Sequence, residues 1–65
     1  MTLEKKIAII RKLERRAAEM LEWCRCRNDE IGHASYLGDY TAYSNVLYIL
    51  EHDDIAEEYD RVYAE

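Results

Sequence analysis

The chain reads as an all-α protein: a helical hairpin, with a short third C-terminal helix as an option, dimerising into a helical bundle. Three observations point there. At 65 residues it makes one domain. Apolar residues recur with helical spacing over two long stretches. Proline is absent and glycine occurs only twice, at Gly32 and Gly38.

The first helix is expected over about residues 2–27. At 100° per residue, Leu3, Ile7, Ile10, Leu13, Ala17, Met20, Leu21 and Cys24 fall within an arc of roughly 140°. Thr2 suits the N-cap, Glu4 the first turn, and Arg25 and Arg27 the C-terminal dipole. Positions 3, 7, 10, 14, 17, 21 and 24 also follow heptad spacing. Glu14 interrupts a strict coiled-coil seam, and Leu13 beside it favours a wider bundle face.

Asn28 to Ala34 reads as the connection, with Asn28, Asp29 and Gly32 as turn and helix-stop residues and His33 in the loop. The second helix is expected over about 35–51, starting from Ser35 as N-cap, or from Asp39 with Gly38 left in the loop. Its stripe is Tyr36, Tyr40, Tyr43, Val46, Leu47 and Leu50.

The tail, about 54–64, has a separate stripe of Ile55, Tyr59 and Val62, with Tyr63 at its edge. On one continuous helix this stripe would be rotated by roughly 130–140° from the preceding one. Two arrangements remain open. The chain breaks near His52, with an aspartate capping a third helix, or the helix continues and its end packs on another surface.

The chain carries 14 acids and nine bases, for a net charge of −5. The charge is divided unevenly. Residues 1–33 hold eight bases and six acids; residues 34–65 hold Arg61 and eight acids. An antiparallel homodimer would set the basic half against the acidic half and cover the longer first stripe. Alternatively, the acids form a patch for a larger protein with a basic surface.

Candidate partner-binding residues follow from the tail. Tyr48 lies on the flank that should be wet, and on a continuous helix it aligns with Ile55, Tyr59 and Val62. Asp53, Asp54, Glu57 and Glu58 surround that surface. The competing account tucks Ile55 and Tyr59 into the chain's own core. A second candidate is the flank of Lys5, Lys12, Arg16, Trp23 and Arg27. A basic stripe ending in an indole suits a phosphate backbone and a stacked base. The acidic balance weighs against nucleic acid as the main partner.

Catalysis and cofactors are not expected. The acids are scattered on helix surfaces without a pocket. Ser35 and Ser44 have no histidine at a position implying a triad. Cys24 and Cys26 point roughly 200° apart on a helix, so with His33 they fall short of a metal set, and no metal site is predicted. No apolar run approaches membrane-spanning length, and with no secretory segment or disulfide framework the expected compartment is the reducing cytoplasm.

The stretch AYSNVLYILE resembles small accessory proteins of bacteriophages and prophages. Many of these carry an Ala-Tyr-x-x-Val-Leu-x-Ile-Leu helix after a helix rich in Glu, Lys and Arg. The matching residues are Ala42, Tyr43, Val46, Leu47, Ile49 and Leu50. The resemblance implies a non-enzymatic accessory role, including inhibition of host defence of the anti-CRISPR kind, and carries over no functional residue. In length and hairpin plan the chain is also similar to the Rop-type RNA-binding hairpin dimers of plasmids. A self-assembling structural subunit is the third expectation.

Overall fold

A computed structural model describes residues 1–64. It contains three helices: α1 (Leu3–Cys26), α2 (Glu30–Glu51) and α3 (Asp53–Val62). The fold is all-α.

The start of α1 is where the sequence places it. Thr2 is extended and its hydroxyl accepts from the Lys5 N–H at 3.2 Å, with Glu4 in the first turn. This satisfies one of the amide donors a helix N-terminus leaves unpaired. The other end of α1 is a Schellman turn. Asn28 takes the left-handed conformation at φ 56°. The Asp29 N–H then reaches back to the Cys24 carbonyl at 2.9 Å, and the Asn28 N–H to the Arg25 carbonyl at 3.2 Å. Asparagine is the residue after glycine that best tolerates this conformation.

The connection is therefore shorter than expected, and α2 begins at Glu30 rather than at Ser35 or Asp39. Asp29 closes the first turn and opens the next helix. Its Oδ1 accepts from the Gly32 N–H at 2.9 Å. Gly32 is no helix stop: it lies in the first turn of α2, as does His33. It is glycine because a Cβ there would fall on the Asp29 carboxylate and 3.0 Å from the Cys24 Sγ. Gly38 is inside α2, and a Cβ there would meet nothing within 4 Å.

α2 and α3 are separate helices. His52 alone separates them, at φ −132° and ψ 102°. This is extended backbone open to any residue, so no glycine or proline is needed. No aspartate caps α3. His52 holds the cap position without a side-chain bond, and Asp53 and Asp54 lie in the first turn, where their charge suits the helix dipole.

α1 and α2 form an antiparallel hairpin. Its register is marked by the Arg11 guanidinium on the Glu51 carboxylate at 2.5 Å and the Ser44 hydroxyl on Glu14 Oε2 at 2.7 Å. Ala17, Cys24 and Leu47 are buried. Around them Ile7, Ile10, Leu21, Tyr36 and Tyr43 are half-buried. The face of α1 thus follows the heptad positions and corrects the wider stripe expected from Leu13. Leu13 stays 43% exposed, while Glu14 turns inward and is satisfied by Ser44.

α3 packs against α2, and among the described residues it makes no contact with α1. A helix lying in the α1–α2 groove would touch both, so neither broad face of the hairpin is covered by a third helix. The molecule is correspondingly flat, 41 × 30 × 15 Å.

Candidate recognition surface

The α2–α3 junction builds a cleft of about 480 Å³. α2 contributes Asn45 and Tyr48 to it. α3 contributes Ile55, Tyr59 and Val62, with Glu58 and Tyr63 at its edges. On α3 these five fall on one side, since positions i, i+3, i+4, i+7 and i+8 share a helix face. α3 is pinned by Ile55 and Ala56, both half-buried. The Tyr48 and His52 rings lie 4.9 Å apart, tilted by 32°, and Tyr59 lies nearly parallel to Tyr63 at 5.9 Å. The walls are aromatic and aliphatic, and the rim carries a carboxylate.

Tyr48, Ile55, Tyr59, Val62 and Glu58, all singled out in the sequence, are brought together here. Asp53, Asp54 and Glu57 do not line the cleft. They are exposed, and Asp53 and Glu57 lie roughly 160° around α3 from Ile55. Their contribution is to the field of the helix rather than to contact. Sequence reasoning set Asn45, three residues before Tyr48, on the same flank without making it a binding residue, and left Tyr63 at the margin. The four-residue step from Tyr59 to Tyr63 was the available signal for their stacking.

The burial of Ile55 needs one correction to both arrangements the sequence left open. The chain does break, yet α3 does not join the α1–α2 core. It covers the outer side of α2, and Tyr59, Val62 and Tyr63 remain exposed.

On α1, Lys5, Lys12, Arg16, Trp23 and Arg27 are all exposed. The Arg27 guanidinium sits 4.6 Å above the Trp23 ring centroid. The indole face therefore already holds a cation, and a base could stack there only by displacing it. At the turn, the Cys24 thiol lies 3.9 Å from Asp29 Oδ2. Burial pushes this thiol above its ordinary value, and the Asp29 charge pushes it the same way. Cys26, two residues on, is exposed and points to Glu22. Arg25 on Glu22 holds that carboxyl below its usual range. Among the described residues, no three His, Cys, Asp or Glu side chains gather as metal ligands would.

Among the described residues, no helix is long and apolar enough to cross a membrane. Compared with known proteins, the chain matches no protein-family model, no curated protein and no solved structure.

Proposed function

We propose that the chain is a non-enzymatic protein–protein interaction module that binds a larger protein through the α2–α3 cleft. The observation that carries this is the convergence of Tyr48, Ile55, Tyr59 and Val62 on one exposed apolar cleft with Glu58 at its rim. Exposed aromatics grouped with a polar edge are the composition of a recognition patch, and tyrosine binds large area with few rotatable bonds. The acids of α3 make the fitting partner one with a basic surface around an apolar anchor. The likeness of the Ala42–Leu50 stretch to phage and prophage accessory proteins supports a role in inhibiting or scaffolding a nucleic-acid-handling host-defence protein of a bacterial cytoplasm. The same reading takes the working form as a homodimer.

The test is affinity purification of the tagged protein from host lysate, with and without nuclease. One large protein recovered in both samples is expected. It should be lost with Tyr48→Ala plus Tyr59→Ala, and weakened more by Glu58→Lys than by Glu57→Lys. Capture unaffected by these changes overturns the proposal. Recovery of nucleic acid only without nuclease would favour the Rop-like use of Lys5, Lys12, Arg16 and Arg27. Recovery of the chain alone would favour a self-assembling subunit.

A further inference from the structure

α2 is the anomalous helix. Its only charged residues are Glu30, Asp39 and Glu51, and it carries apolar residues on every side. A helix that is apolar all round belongs in an interior. Yet within the chain α1 covers one side of it and α3 one end.

The uncovered surface is not spread at random. Arg11 and Glu51 meet across one broad face of the hairpin. On α1, Ile9 and Leu13 are each rotated by roughly 160° from Arg11, and Met20 by about 180°. On α2, Val46 is rotated by roughly 140° from Glu51, and Leu50 by about 100°. All five therefore turn toward the opposite broad face. The antiparallel register brings them level, Leu13 near Val46 and Ile9 near Leu50. Ile9, Leu13 and Val46 are 43–44% exposed and Leu50 38%. The second face thus carries the apolar flank of α1 level with Val46 and Leu50, whereas the first carries the Arg11–Glu51 pair, with Leu37 and Tyr48 beside Glu51 on α2.

The geometry points to a second copy of this chain as the occupant of the apolar face, packing two hairpins into a two-layer, four-helix bundle. Three observations commit it to that occupant. The first is area. The chain exposes 5489 Å², against about 4,400 Å² for a monomer of its mass. The excess of about 1,100 Å² per chain, part of it at the cleft, is enough to supply the roughly 800 Å² that each partner gives to a standard-size interface. The second is shape. The Cα radius of gyration is 14.4 Å, whereas a compact 65-residue domain has about 10.7 Å. The third is charge. The charged residues beside the α1 stripe on this face are the bases Lys6 and Arg16, and beside the α2 stripe the acid Asp39. A two-fold axis along the helices that lays α1 over α2 of the other copy brings Arg16 to within about one turn of Asp39, while Lys6 stays near the far end of the bundle.

This deepens the homodimer element of the proposed function by naming its face, and it leaves the α2–α3 cleft open. The assembly then presents two copies of the cleft, so a partner with two matching sites would be bound with avidity. Partner binding and dimerisation use different residues, so either can fail alone.

Sedimentation equilibrium of the full chain at micromolar concentration should give twice the 7.8 kDa chain mass. Leu13→Asp plus Val46→Asp should weaken self-association by at least a hundredfold, while Tyr48→Ala plus Tyr59→Ala leaves the dimer intact. Wild-type monomer at 100 µM, ~100 times the range used to detect a micromolar dimer, would overturn the proposal. So would a dimer broken only by the tyrosine pair. Should the aspartates unfold the chain, the wild type still decides. In a mixture of isotope-labelled and unlabelled chains, intermolecular contacts must appear at the methyls of Ile9, Leu13, Val46 and Leu50. Their absence there, or their appearance at Ile55 and Val62 instead, would overturn it.

Discussion

The chain reverses or bends twice, and the two junctions are held very differently. Between α1 and α2, the left-handed Asn28, the Asp29 cap, the bare Cα of Gly32 and the buried Cys24 thiol all demand the same path. Between α2 and α3, one extended histidine makes the bend. No side chain caps α3, and none of its residues is fully buried. The first junction is specified by several interactions that fail together. The second rests on the partial burial of Ile55 and Ala56. Segments of the second kind open at lower free energy, and binding surfaces are commonly drawn from them. The cleft sits at the loosely held junction.

The sharpest contrast is between a residue that ties the hairpin and one that lines the cleft. Leu47→Ala removes a buried side chain at the α1–α2 contact and should cost about 2–4 kcal/mol in urea unfolding. Val62→Ala, at a position 67% exposed, should cost less than about 0.5 kcal/mol. Equal effects would show that α3 is part of the same cooperative core.

Next come the glycines. Gly32→Ala should destabilise by about 1–2 kcal/mol, because the methyl displaces the Asp29 cap and crowds Cys24. Gly38→Ala should stabilise by about 0.5–1 kcal/mol, since it adds helix propensity where there is open space. The same sign at both positions would break the distinction.

The caps give a smaller effect. Asp29→Ala should cost about 1 kcal/mol of global stability, while His52→Asp should add a few tenths of a kcal/mol to about 1 kcal/mol, felt as slower amide exchange within α3 alone. The smallest effect is at the thiols. Cys26 should be alkylated well before Cys24 in the folded chain, and the two at similar rates in denaturant. Burial and the Asp29 charge raise the folded Cys24 thiol above its ordinary value, so the unfolded chain loses that proton first as pH rises. The thiol's share of stability is therefore full below the ordinary thiol value and declines as pH climbs through the raised folded value. Cys24→Ala should flatten that part of the alkaline decline.

Much of this was legible in the residues. The periodicity and Thr2 placed α1 to within a residue at each end. The rotation between the α2 and tail stripes raised a break near His52 as one of two arrangements, and the extended His52 is what decides between them. The start of α2 was not legible, because Asn28, Asp29 and Gly32 form the same cluster whether they make a long loop or one tight turn. What separates the two is the close approach of Gly32 to Cys24, where a Cβ would lie 3.0 Å from the thiol sulfur, a matter of distance between helices rather than along the chain. The inward turn of Glu14 was hidden for a similar reason. Hydropathy favours Leu13, and only the hydroxyl of Ser44, 30 residues away, makes the carboxylate tolerable. The members of the cleft were readable as an apolar stripe on the tail. Their placement on the outer side of α2 was not, since a bend angle leaves no mark on composition.

Trp23 is the sole tryptophan, and it lies beside the first turn under the Arg27 guanidinium. The cleft lies at the other end of α2, a helix of 22 residues, or about 33 Å. Indole emission will therefore report the fate of the hairpin turn and be nearly blind to α3. Of the six tyrosines, Tyr48, Tyr59 and Tyr63 line the cleft and Tyr36, Tyr40 and Tyr43 lie along the hairpin, so their absorbance and near-ultraviolet dichroism include the other end, which the indole does not see. On heating, the tyrosine signal should begin to change before the tryptophan signal does. The gap between the two curves is an optical measure of how independently the cleft-bearing end melts.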